Sequence, residues 1–126
     1  MWRGTPWRSM ERKDNDKIYL QHILDSIESV ERYIEGFSEE EFSRLEEKQD
    51  AVIRKLEIIG EAGSKLSKEL RDKYKNIEWE KMISMRNFLI HEYFGVDMSQ
   101  VWKTATKDIP ALKEGIRKIL KEFDRS

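Results

Sequence analysis

Apolar residues recur at three- and four-residue steps through most of this chain, and no segment alternates with the period of a strand. Leu20, Ile23, Ile27, Val30 and Ile34 form one stripe, which predicts a first helix from about Asp14 to Glu35 stopped by Gly36. Ser38 followed by Glu41 has the spacing of a capping box, so a short helix is expected to start there, with the acidic run Glu39 to Glu41 as its solvated first turn. Val52, Leu56, Ile59, Gly63 and Leu66 give a second stripe and a long helix from about Gln49 to Leu70. Gly60 and Gly63 within it each cost roughly 1 kcal/mol of helix propensity relative to Ala. Their expected benefit is the close approach of another helix.

Lys73 to Asn76 read as a connection, and Trp79 opens a helix that runs to about Glu92 before a turn at Phe94-Gly95. A last helix is expected from about Ser99. Its seam of Val101, Trp102, Ala105, Ile109, Leu112, Ile116, Ile119 and Phe123 is sustained, with a kink or restart near Pro110. The predicted fold class is all-α, an up-and-down bundle of four main helices plus one short helix. Residues 1–10, with two Trp, two Arg, a Gly and a Pro, read as a flexible extension, and residues 11–126 as a single helical domain.

Composition narrows the function classes. Charged residues make up 39% and hydrophobic residues 38%, which suits amphipathic helices with charged outer faces. With 24 basic and 25 acidic residues the net charge is -1, so a broadly basic nucleic-acid surface is not supported. Any contact with RNA or DNA must be local and assembled from more than one helix. There is no cysteine, which removes disulfides and thiolate metal sites and fits a cytoplasmic protein. No apolar run is long enough for a membrane span, and the N-terminus does not read as a signal peptide.

The chemistry concentrates in Arg86 to Tyr93, RNFLIHEY. On a wheel at about 100° per residue, Trp79, Met82, Ile83, Leu89 and Ile90 cluster on one side, and Arg86 projects from the middle of that sector. A buried arginine is almost always paired. Two readings stay open for it: an ion pair with an internal acid such as Glu57 or Glu61, or an anionic ligand or subunit interface. His91 suits general acid–base work, with a structural hydrogen-bonded histidine as the bland alternative. Asn87 would orient a phosphate oxygen or the imidazole, or merely cap a neighbouring group. Tyr93 offers a ring for stacking and a hydroxyl open to modification, or simply packing. His22, the only other histidine, reads as structural. There is no Gly-rich phosphate loop or serine nucleophile elbow, and two well-separated histidines do not make a zinc site.

The spacing Arg86-Asn87, three residues, His91-Glu92-Tyr93 resembles the Arg-x4-His-x-Tyr signature of HEPN-domain ribonucleases. The flanks sharpen the resemblance to the HepT-like toxins of the HEPN/MNT toxin–antitoxin systems. DAVIRKLEIIGEAGSKLS (Asp50 to Ser67), IEWEKMISMRNFLIHEYFGVD (Ile77 to Asp97) and VWKTATKDIPALKEGI (Val101 to Ile116) are all similar to that family, over about Arg12 to Phe123. Position 92 is Glu where the family often has Asp. The resemblance implies a HEPN-like homodimer and a metal-independent endoribonuclease without a cofactor, acting on RNA in a cleft shared by two subunits. It implies Arg86 and His91 as catalytic residues, with Asn87 in a positioning role. It also implies that a minimal nucleotidyltransferase antitoxin silences the enzyme by adenylylating Tyr93. Two other functions stay open on the residues alone: a non-catalytic nucleotide-binding or scaffold module, and a structural helical adaptor in which Arg86 is satisfied internally.

Overall fold

The computed structural model describes residues 12–125, with side chains from Asn15 onward apart from that of Tyr93. The extension expected over residues 1–10 lies outside the described residues. Seven α-helical segments follow one another: α1 (Arg12–Ile34), α2 (Glu39–Phe42), α3 (Glu46–Lys65), α4 (Lys68–Lys73), α5 (Trp79–His91), α6 (Met98–Lys103) and α7 (Ile109–Arg125). A 3-10 turn, Tyr93–Gly95, follows α5, and a π-helical turn, Thr104–Asp108, joins α6 to α7. No strand occurs among the described residues. The all-α expectation holds; α4 is one more short helix than the pattern predicted, with α6 and α7 together forming the expected last helix with its kink.

Helix α3 is the centre of the bundle. It packs on α1 across one side and on α5 across another, while α7 covers α1. The α1 stripe supplies the deepest part of the core: Leu20, Ile23, Ile27 and Val30 are fully buried and meet Val52, Leu56 and Ile59 of α3. Gly36 ends the first helical turn-off at φ +80, in the left-handed region where a side chain is strained. The capping box forms as expected, Ser38 Oγ accepting from the Glu41 amide and Glu41 accepting from the Ser38 amide.

Two boundaries differ from the sequence expectation. The long helix over 49–70 is two helices, broken at Leu66-Ser67. The reason is a cap that hydrophobic periodicity does not reveal. Ser67 accepts from the Leu70 amide as N-cap of α4, and buried Asp16 of α1 accepts from both the Ser67 amide (2.8 Å) and its hydroxyl (2.6 Å). Breaking the helix there satisfies a buried carboxylate and an orphan helix terminus together. Near Pro110 the kink takes the form of the π turn, in which the Ile109 amide donates to the Thr104 carbonyl five residues back. That wider turn feeds the chain into Pro110, which has no amide of its own to donate.

Candidate active site

The motif helix sits where α3 carries glycine. A Cβ on Gly60 would lie 2.3 Å from Arg86 Cβ and 2.9 Å from the Met82 carbonyl oxygen, and one on Gly63 would lie 2.7 Å from Met82 Sδ. The missing side chains therefore let α5 settle directly on the backbone of α3, as the two glycines predicted. Trp79, Met82 and Leu89 fill the rest of that contact and are buried. Trp79 also donates from its indole N–H to the Tyr74 carbonyl at 3.0 Å, which fixes the start of the helix.

Arg86 emerges at the edge of this contact. Its side chain is 23% exposed, and Nη1 lies 3.3 Å from Glu61 Oε1, whose own side chain is 51% exposed. Of the two acids considered as partners, Glu61 is the one engaged; Glu57 pairs with Arg54 at 3.4 Å. Nε of Arg86 is buried without a hydrogen-bond partner among the described residues. The guanidinium is thus only partly satisfied from the described residues: Nη1 meets Glu61, Nε is buried without a partner, and the side chain keeps some exposure. Glu61 also accepts a second, looser cation, Lys65, at 3.8 Å.

The apolar sector expected around Arg86 is only partly buried. Ile90, assigned to it by the wheel, is 48% exposed, and so is Phe88; Phe94 in the following turn is fully exposed. The reason is that α5 packs chiefly on α3, so among the described residues no other helix packs as extensively on it. Asn87 and His91 are also exposed. At about 100° per residue the wheel order along that flank is Arg86, Ile90, Asn87, His91, spread over about 140°. Asn87 and His91 are one helical turn apart and share a face. Arg86 and His91 do not face each other within one chain. The Tyr93 backbone begins the 3-10 turn, two residues beyond His91.

His22 is exposed rather than enclosed in the core, with its ring edge-on to Tyr19 at 6.3 Å. Both rings line a groove of about 330 Å³ between α1, α3 and the Ile90 side of α5. Sequence reasoning did not find this groove, because its walls come from three helices whose relative placement no single stripe encodes. Among the described residues no helix is long and apolar enough to cross a membrane.

Residues 23–119 match the family model described as ribonuclease HepT-like. A Methanocaldococcus jannaschii protein named gamma-glutamylcyclotransferase and putative RNase is 50% identical over 115 residues, 91% of this chain. The chain spans about half of that relative, 51% of its length. A probable ribonuclease HepT of Thermococcus cleftensis is 41% identical over 109 residues, covering 86% of this chain and 99% of the relative. A putative RNase of Caldanaerobacter subterraneus is 41% identical over 104 residues, covering 82% and 93%. No solved structure matches the chain at a significant level.

Proposed function

The chain belongs to the HepT-like ribonuclease family, and from that premise we propose that it is the toxin of a HEPN/MNT toxin–antitoxin pair, an endoribonuclease whose cleft is shared by two copies of the chain. The observation that carries this reading is the exposed flank of α5. A partly satisfied guanidinium, an amide and an imidazole stand there in a row, beside exposed apolar side chains. Of the five large hydrophobic residues exposed among those described, three (Phe88, Ile90 and Phe94) lie in this segment. Exposed apolar surface concentrated around polar motif residues is the signature of an interface at a site. Because Arg86 and His91 diverge by about 140° on their own helix, a symmetric second copy supports the reading by bringing one chain's arginine toward the other's histidine.

The chemistry proposed needs no metal or cofactor. A ribose 2′-oxygen attacks the adjacent phosphorus, the bond to the 5′-oxygen breaks, and the products are a 2′,3′-cyclic phosphate and a 5′-hydroxyl. His91 removes the 2′-proton or delivers one to the leaving oxygen, with the second copy's histidine in the complementary role. Arg86 stabilises the charge that grows on the phosphate oxygens, and Asn87 holds the phosphate or imidazole in place. Adenylylation of Tyr93 by a nucleotidyltransferase antitoxin would set bulk and negative charge beside the cleft and silence it.

The ion pair with Glu61 favours a second reading, in which Arg86 is purely structural. Its half-exposed carboxylate argues for a small stabilising effect, under about 1 kcal/mol. Variants separate the two. RNA cleavage by the purified protein in chelator is expected to fall about 10²–10⁴-fold in His91→Ala and about 10²–10³-fold in Arg86→Ala, with unchanged sedimentation and circular dichroism. If both variants cut as fast as the parent, the site is elsewhere. For the silencing step, the chain is incubated with ATP and a nucleotidyltransferase encoded beside it. The expected product is an adenylate on Tyr93 by mass spectrometry, and modification only at other residues rejects that role.

A further inference from the structure

A ribonuclease with a net charge of -1 has to obtain its affinity for RNA from a local feature. The groove between α1, α3 and α5 has the right position and lining. Glu61, in its lining, is the residue that holds Arg86, and Ile90, also in its lining, lies on the flank of α5 between Arg86 and His91. A strand whose phosphate reached those two residues would run on into the groove. Its volume of about 330 Å³ lies at the small end of ligand clefts, which span roughly 300–1,000 Å³. It therefore suits one nucleotide unit better than a folded structure.

The lining is that of a stacking site. Tyr19 and His22, three residues apart on α1, present two rings at 88° to one another. Ile58 and Ile90 add flat aliphatic surface. Lys65 stands in the same lining, tied to Glu61 only at 3.8 Å and 55% exposed, so its ammonium is available to a second phosphate. Rings of this kind accept any base through its π-face, and Lys65 beside them meets the backbone; Arg54 and Glu57, which also line the groove, pair with each other at 3.4 Å.

We propose that this groove is a nucleotide subsite: it stacks the base next to the scissile phosphate on the Tyr19 ring, with the perpendicular His22 ring against the base edge, and takes the neighbouring phosphate on Lys65. The subsite extends the ribonuclease reading above and rests on it for the position of the scissile phosphate. It explains how a near-neutral chain retains RNA, and it assigns His22 a binding role in place of a structural one.

The test is binding of a short fluorescein-labelled 2′-fluoro oligonucleotide, which lacks the attacking hydroxyl and cannot be cut, to the full chain by anisotropy. Tyr19→Leu and Lys65→Gln are each expected to weaken binding about tenfold, while Tyr19→Phe, which keeps the ring, stays close to the parent. The slope of log affinity against log salt should also fall by about one unit in Lys65→Gln. Tyr19 is partly buried against the core. Should Tyr19→Leu fail to fold, His22→Ala at an exposed position carries the same expectation. Parent-like binding by His22→Ala and Lys65→Gln overturns the subsite. If RNA cleavage still depends on Arg86 and His91 in that case, the ribonuclease reading stands without it. A parent that neither binds the probe nor cleaves RNA removes both.

Discussion

Helix α3 makes two contacts of opposite kind. Toward α1 it presents Val52, Leu56 and Ile59 to Leu20, Ile23, Ile27 and Val30, all of them at most 1% exposed. Toward α5 it presents Gly60 and Gly63, so that helix approaches by backbone and not by side-chain interdigitation. The first contact is built from large apolar residues. The second is built from absence and brings the stem of an arginine into the packing, with its charged head at the rim beside Glu61. One helix thus supplies stability on one side and a positioned cation on the other, and the two requirements call for different residues.

The comparison predicts different consequences for substitutions of similar size. Ile27→Ala, in the α1–α3 contact, removes a fully buried side chain and should lower unfolding free energy by about 2–5 kcal/mol in urea titrations. Cleavage by the fraction that remains folded should be unchanged. Gly60→Ala inserts a Cβ 2.3 Å from that of Arg86 and 2.9 Å from a backbone oxygen, neither of which is a flexible tip. Overpacking should destabilise it by about 1–3 kcal/mol, even though Ala is the better helix former by roughly 1 kcal/mol. Cleavage should fall further than the loss of folded protein explains, since α5 must shift. A Gly60→Ala protein as stable and active as the parent would show that the close approach is not what sets Arg86.

These two contacts also differ in how far the chain announces them. The α1 stripe and the buried positions of α3 follow from period alone, because a residue that is apolar every third or fourth place has one way to be buried. The capping box at Ser38 was equally legible, since its partners are three residues apart. The break at Ser67 was not, because the group that imposes it, Asp16, is 51 residues away in sequence. The exposure of Ile90 was not legible either: a wheel shows which residues share a face, not whether a neighbouring helix covers it. At the candidate site, Arg86, Asn87 and His91 were found from residue type and spacing, and Glu61 was one of two acids considered. The groove with Tyr19 and His22 needed three helices in place.

Glu61→Gln tests the rim of the α3–α5 contact with a smaller change. The pair is half exposed on the carboxylate side, so stability should change by less than about 1 kcal/mol. The guanidinium loses its charged anchor, and kcat/KM for RNA should drop about tenfold to a hundredfold through misorientation of Arg86. The reverse pattern, a clear loss of stability with cleavage intact, would make the ion pair structural.

The smallest effect concerns the other end of α5. Tyr74 accepts the Trp79 indole on its carbonyl and donates its hydroxyl to Glu122 of α7, so it ties the start of the motif helix to the far side of the bundle. Burial, followed by the hydrogen bond and the charge of Glu122, pushes the Tyr74 phenol up to about 12 from an ordinary 10.0. The folded chain therefore holds this proton more tightly than the unfolded chain does. The stability that Tyr74 contributes is complete below pH 10 and is lost as pH rises from there toward about 12. Tyr74→Phe removes the titrating group along with its hydrogen bond, a loss of about 0.5–1.5 kcal/mol at neutral pH at most. Urea midpoints of the parent and the variant should then converge as pH climbs through that window, because the variant lacks the phenol that titrates there. A difference that stays constant across the window would mean that the Glu122 contact does not hold the phenol proton, and that α5 is fixed at its start by Trp79 alone.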